Sequence, residues 1–269
     1  MSTIRVLVAR SAPVAVILEH RRKENDHWSR AILWRTDTDL LEPGSWLKAK
    51  IYIEKASLSP DGALLGFFAA RFDFNPKDYS GGYIAVSRPP YLTPLSLWEI
   101  GDVRGGATWF PSDDQILLES PWPGDLNSHP DFPPPPDWLR VERFPEDWDS
   151  AKESGWRKTN EGCYEVSLDS NGARILRATW EASGPDAWSG KFFYSLRREG
   201  KREDLRADQA APLLDGRLAI VRGDEVIVQD NAGKERLLLR ASDDRPRPLK
   251  PPAWAETWDD TEQSQNLRR

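Results

Sequence analysis

With 269 residues, 39% of them apolar, and 13 tryptophans and 9 phenylalanines, the chain has enough bulky surface to fill the core of a globular protein. Its net charge of −6 comes from 43 acidic and 37 basic side chains interspersed along the chain, a pattern without the basic stripe of a nucleic-acid binder. No apolar run approaches the roughly 18 residues that span a bilayer, Met1–Arg10 lacks the layout of a signal peptide, and the single cysteine, Cys163, fits a reducing compartment, so the expected location is the cytoplasm, with no membrane partner.

In chain order, five short apolar runs each end in a turn and are followed by a second run of similar length. The junctions are Val6–Pro13 before Val14–Leu18, Ala56–Gly62 before Ala63–Phe68, Ala107–Asp114 before Gln115–Leu118, Glu165–Gly172 before Ala173–Leu176, and Ala210–Gly216 before Arg217–Val221. The turns recur roughly every 44 to 58 residues, the size of one supersecondary unit in a stacked or radially arranged repeat. No segment sustains an apolar period of 3.6 residues, so very little helix is expected. The predicted fold is all-β: a small β-propeller of five four-stranded antiparallel blades. Four or six blades remain as alternatives, because the longest step holds an insertion that can hide strands.

The first blade is read as strands at Ile4–Ala9, Val14–His20, Trp28–Arg35 and Trp46–Ile53. The second is read as Lys55–Leu58, Leu64–Phe72, Tyr83–Ser87 and Ser96–Ile100. Its first turn is Ser59-Pro-Asp-Gly62, where Pro presets φ and Gly accepts a positive one. The fifth is read as Ala210–Leu213, Arg217–Val221, Glu225–Gln229 and Glu235–Leu239, with tight turns at Arg222–Asp224 and Asp230–Gly233. Residues 1–241 are expected to form one propeller domain, carrying a Pro/Trp-rich insertion at 121–138 whose proline density forbids ladder pairing. The Pro-rich tail, 242–269, is expected to be partly packed with a mobile end, and Ala253–Trp258 is the stretch suited to packing back and helping to close the ring.

Leu58-Ser-Pro-Asp-Gly62 followed by Ala63-Leu-Leu-Gly-Phe67 resembles the repeat junction of WD40-type and TolB-type propellers. Trp34–Asp39 and Ser87–Leu92 look like segments of a group of uncharacterised bacterial proteins. The chain lacks the Gly-His pair and the Trp-Asp ending of true WD40 repeats, so that family's hydrogen-bonded tetrad is not implied. What the resemblance implies is an interaction platform. It also brings in the five-bladed glycoside hydrolases, which need two carboxyls facing each other across a sugar.

No constellation of residues names a reaction. His20 and His27 flank a turn and can approach each other, but no third ligand keeps regular spacing, so neither metal nor cofactor is expected. Cys163 has no basic neighbour in sequence and reads as a buried, inert thiol. The acids near strand ends, Asp37, Asp39, Asp73, Asp102 and Asp169, fall mostly in turns, where Asp bonds its own backbone. Trp28, Trp34, Trp46, Trp98, Trp109, Trp156, Trp180 and Trp188 recur along the repeats and read as packing between blades.

Aromatic residues in and after the insertion are harder to bury. Trp122, Phe132, Trp138 and Trp148, with Arg140, therefore form the first candidate set for contact with a partner, or alternatively pin the loop. A second set is Trp34, Arg35, Asp37, Asp39, Arg88 and Tyr91, where charged and aromatic groups meet at strand ends, and Arg35 with Asp37 or Asp39 reads as a structural ion pair. The expected function is a non-enzymatic protein-binding module, acting as a scaffold, inhibitor or immunity-type partner of another protein and monomeric alone. A glycan- or small-ligand-binding propeller is the alternative, and a glycoside hydrolase follows it.

Overall fold

The structure is a computed structural model that describes residues 2–24, 26–70, 81–100, 105–119, 128–145, 155–160, 162–182, 190–241, 246–247 and 249–258. The chain divides into two compact units, one of residues 1–146 with 242–269 and one of residues 147–241.

The first unit holds three sheets. Strands β1 (Ser2–Val8), β2 (Val14–Lys23), β3 (Asp26–Arg35) and β4 (Leu40–Leu47) form an antiparallel meander. Val14–Leu18 and Ala31–Trp34 are continuous apolar runs buried on both faces, as strands covered on both sides should be. The sequence places the fourth strand at Trp46–Ile53, whereas the structure starts it at Leu40. The reason is local: the chain reverses at once through Thr36–Asp39, where Asp39 adopts φ +56° and accepts the Trp34 indole N–H at 3.1 Å. Pro43 is tolerated because β4 is the last strand of its sheet, and the register slips opposite it, between Arg30 and Ile32.

In the second sheet the first strand is split. β5 (Lys50–Ile51) and β6 (Ser57–Leu58) pair with opposite ends of β7 (Leu65–Ala70), with a 3-10 turn at Ile53–Lys55 between them. β8 (Gly82–Ser87) and β9 (Ser96–Glu99) complete it. The third sheet departs further from four antiparallel strands. β10 (Thr108–Ser112) and β11 (Gln115–Leu118) are antiparallel, but β12 (Arg140–Arg143) runs parallel to β11. Parallel neighbours cannot be joined by a hairpin and need a crossover of about a dozen residues or more, and the insertion is that crossover. Among the described residues two buried clusters fill this unit, one centred on Val16, Leu33, Leu65 and Phe67, the other on Phe68, Ile84, Trp98 and Phe110.

The second unit holds two antiparallel sheets. β13 (Arg157–Asn160), β14 (Cys163–Ser167), β15 (Arg174–Ala182), β16 (Gly190–Arg198) and β17 (Lys201–Asp204) form a five-stranded sheet. β18 (Gln209–Pro212), β19 (Leu218–Arg222), β20 (Glu225–Gln229) and β21 (Glu235–Arg240) form a four-stranded one. Leu176, Leu196, Leu218 and Ile220 lead their shared core.

The junction turns repeat in atomic detail. Asp61 Oδ1 accepts the Ala63 N–H at 2.9 Å, while the Gly62 N–H returns to Ser59 O at 2.9 Å with φ +76°. Asn171 and Gly172 make the same turn, as do Asp215 and Gly216, with Oδ1 bonds of 3.0 and 3.1 Å. Five sheets in succession, with helix confined among the described residues to two 3-10 turns, define an all-β, five-bladed β-propeller fold. Blade number is as the repeat spacing predicts; strand number is not uniform.

Candidate functional site

The described half of the insertion, residues 128–138, lies along the second blade. The His129 N–H donates to Leu97 O at 2.7 Å, and the Ser96 hydroxyl donates to Pro133 O at 2.7 Å. Phe132 is half-buried, packs against the first core and meets His129 edge-on at 6.1 Å. Leu139 is buried in the second core, and the exposed Arg140 opens β12 with its guanidinium 3.5 Å from Asp114. The Ser112 hydroxyl, followed by Arg140, holds the Asp114 carboxyl below its usual range. Trp138 stays 40% exposed. Its ring stands edge-on to Trp258 at 5.9 Å, and the Trp258 indole is anchored by bonds to Leu95 O and Ser96 Oγ, both 3.2 Å. Phe132 is thus pinned and Trp138 displayed. Trp122 and Trp148 lie outside the described residues, as do Asp73, Asp102, Trp188 and the tail beyond Trp258.

The tail supplies the other half of this surface. Trp254 packs against the first core and meets Tyr91 edge-on at 5.5 Å, and Ala255 is fully buried. Burial, with Glu42 adding to it, pushes the Tyr91 phenol up. Arg88 points inward: it is 2% exposed and donates from Nε to Thr257 O at 3.3 Å and from Nη2 to Trp258 O at 3.2 Å.

The second candidate set therefore needs correction. Trp34 is fully buried with its indole on Asp39, and Arg88 is a buried clamp on the tail, so neither is a surface contact. Arg35 forms no ion pair with Asp37 or Asp39 among the described residues, because the turn uses those carboxylates itself: Asp37 Oδ1 accepts the Thr38 N–H at 2.9 Å, and Asp39 holds Trp34. Tyr91 alone of that set joins the Trp138 surface, through Trp254 and the tail. Trp254 and Trp258 are the contributors that site reasoning from sequence overlooked. Their signal was two tryptophans four apart directly after Pro251-Pro252.

His20 and His27 do come together, with rings stacked at 5.2 Å and Nε2 3.0 Å from Nδ1. Burial first, then His27, Lys50 and Arg22, push His20 down to about 4; burial, Arg22 and Lys50 lower His27 as well. Those cations oppose a bound metal, and among the described residues no three His, Cys, Asp or Glu side chains gather as ligands. The native state holds fewer protons here than the unfolded chain below the ordinary imidazole pKa, so stability is full above about pH 6.5 and falls as pH drops toward 4. Urea midpoints measured across that window are expected to decline in the wild type and to decline less in His20→Gln. Equal slopes would remove the pair as the cause.

Cys163 is buried, as the sequence reading expected, but it has a basic partner. Arg177, on the neighbouring strand, places Nη2 3.3 Å from the sulfur, and this contact, with smaller help from Thr179 and Arg202, lowers the thiol pKa. The partner is supplied by strand register, which local sequence does not show.

No protein-family model matches the chain, and no curated protein matches it. Among solved structures it is similar to the β-propeller domain of the Trilobed protease from Pyrococcus furiosus, at 10% identity and a TM-score of 0.24 over 84% of this chain and 63% of that one. It is also similar to Pyrococcus horikoshii acylaminoacyl peptidase, at 15% identity and a TM-score of 0.27 over 84% of this chain and 35% of that one. A third likeness is to the polysaccharide lyase Uly1, at 12% identity and a TM-score of 0.24 over 96% of this chain and 51% of that one. The chain spans less than two thirds of the length of each of these proteins.

Proposed function

We propose that this protein is a non-enzymatic, cytoplasmic protein-binding module, a scaffold or an inhibitor or immunity-type partner, whose contact surface centres on Trp138. The observation that carries this reading is a tryptophan 40% exposed yet held edge-on by a second, anchored tryptophan where two Pro-rich segments meet. Exposed Pro133, Pro134, Asp137 and Arg140 flank it in sequence. A rigid aromatic anchor inside a polar rim is the anatomy of a binding hot spot, and proline-restricted flanks reduce the ordering cost on association. The blade tryptophans Trp34 and Trp98 are buried, so they offer no platform for stacking on sugars. Kinship with WD40- or TolB-type propellers rests on the Ser59–Gly62 junction and its repeats.

The test is affinity capture from native lysate, read by mass spectrometry, with intact protein beside Trp138→Ala. The variant is expected to stay within about 1 kcal/mol of wild-type stability, as a surface side chain should, and to lose the captured partner. Equal capture by both forms, or capture by neither, would sink the reading. A marked drop in stability would make Trp138 a packing residue instead.

A further inference from the structure

In the second unit, β15 begins and β16 ends on two arginines that face each other across the ladder, Arg174 and Arg198. Each reaches the fifth blade with one nitrogen only. Arg174 Nη1 donates to Gly216 O at 3.0 Å and to Asn231 Oδ1 at 2.6 Å, and Arg198 Nη1 donates to Ala232 O at 2.8 Å. The opposite edge of a guanidinium, Nε with Nη2, is a fork whose parallel N–H bonds match two oxygens of one anion. In both arginines that fork is buried and has no acceptor: Nε and Nη2 of Arg174 and Nε and Nη2 of Arg198 are all without a hydrogen-bond partner. Arg174 is only 9% exposed.

Unmet buried donors carry their full desolvation penalty, and two of the same charge repel. Burial, then Arg198, holds the Arg174 guanidinium below its ordinary pKa, with Asp169 and Asp230 acting the other way. Neither carboxylate closes on a fork. Asp169 Oδ1 takes the Arg174 backbone N–H at 3.3 Å, and Asp230 Oδ1 takes the N–H groups of Ala232 and Lys234 at 2.9 and 2.8 Å. The neighbouring Glu235, Arg222 and Arg217 are engaged with one another or with Asp215. What the arrangement lacks is an acceptor with several oxygens and negative charge.

We propose that Arg174 and Arg198 form a binding site for a small tetrahedral oxyanion of the phosphate class. Two forks present four N–H groups. A carboxylate offers them two oxygens and one charge, whereas a phosphate offers three or four oxygens and up to two charges. Arg198 is the half-buried member and its bond to Ala232 lies at the surface, so entry of the ion beside the Ala232-Gly233 turn requires that side chain to move. The site uses no residue of the Trp138 surface, and its success or failure is independent of that reading.

Calorimetric titration of the full chain with sodium phosphate, against sodium acetate and sodium chloride at equal ionic strength, is the direct test. Saturable binding of phosphate alone is expected. Arg198→Lys keeps the charge and removes the fork, and is expected to weaken phosphate binding at least tenfold, while Arg197→Lys on the same strand leaves it unchanged. No saturable phosphate binding by the wild type, or equal binding by Arg198→Lys, overturns the proposal. A second readout needs no variant: phosphate is expected to shift the Nε–H resonances of two arginines in the wild-type spectrum, and unmoved resonances overturn the site equally. Glycerol 3-phosphate in a parallel titration separates the sources. Binding of the ester as well as phosphate identifies a phosphorylated small molecule, and exclusion of the ester identifies the free ion.

Discussion

Glu19→Ala is expected to lower the unfolding free energy of the first unit by about 3–5 kcal/mol, the range for breaking a buried ion pair from one side. Glu19 is 1% exposed in the middle of β2 and accepts Arg21 Nε at 3.0 Å and Arg30 Nε at 2.8 Å. Both guanidiniums lie over the Trp46 ring, each 4.8 Å from its centre. The aromatic face attracts the cations but carries no net charge to neutralise them, so removing the carboxylate strands two desolvated positive groups. Urea denaturation of Glu19→Ala beside the double variant Glu19→Ala/Arg30→Met separates charge from packing. Part of the loss is expected to return in the double variant, because replacing a buried pair with apolar groups is often close to neutral. A single variant within 1 kcal/mol of wild type would show that water reaches the cluster.

Gly44→Ala is expected to cost about 3 kcal/mol, the upper part of the range for overpacking a close-packed site. A Cβ on Gly44 would stand 1.8 Å from Pro90 O and 2.8 Å from Ala31 O. Both obstacles are backbone, one from the neighbouring strand β3 and one from the Pro89-Pro90 turn of the second blade, so no rotamer change relieves them. For a unit of this size the thermal midpoint should fall by roughly 6–12 °C. Gly172→Ala is the control: nothing lies within 4 Å of its Cβ, and only its φ of +68° opposes the methyl, a strain of about 1–2 kcal/mol. A Gly44→Ala midpoint at or above that of Gly172→Ala would mean that β4 moves off the turn freely.

The two changes act through contacts of different reach, and so did the legibility of the fold. The fifth blade matched its sequence reading to within a residue, and Glu225–Gln229 is the observed third strand. Its two central strands are short, continuous apolar runs, and its turns at Gly223 and Gly233 both take positive φ, so the code lies within four or five residues. The second blade's Ser59–Gly62 turn was legible for the same reason. The third blade was not: the parallel pairing of β12 with β11 depends on where the insertion lands after leaving the sheet. The fourth strand of the first blade begins earlier than its reading because the Trp34–Asp39 bond closes a tight turn directly after Arg35, so pairing resumes at Leu40 in a stretch read as connection.

Local chemistry along the chain was enough to settle the all-β class and the Asx-Gly turns that punctuate it, since each depends on side chains and backbone only a few residues apart; the repeat spacing pointed to five blades with four or six as alternatives, and the five sheets decided between them. Tertiary structure decided which aromatic rings are spent on packing and which reach solvent, as Phe132 and Trp138 diverge six residues apart on one segment. It also decided the charged meetings between strands: Arg177 on Cys163, Arg30 on Glu19, and Arg174 beside Arg198. These meetings are set by strand register, and a slip of one residue turns each side chain to the opposite face of its sheet. Burial and pairing are therefore properties of the packed sheets, and no window of sequence contains them.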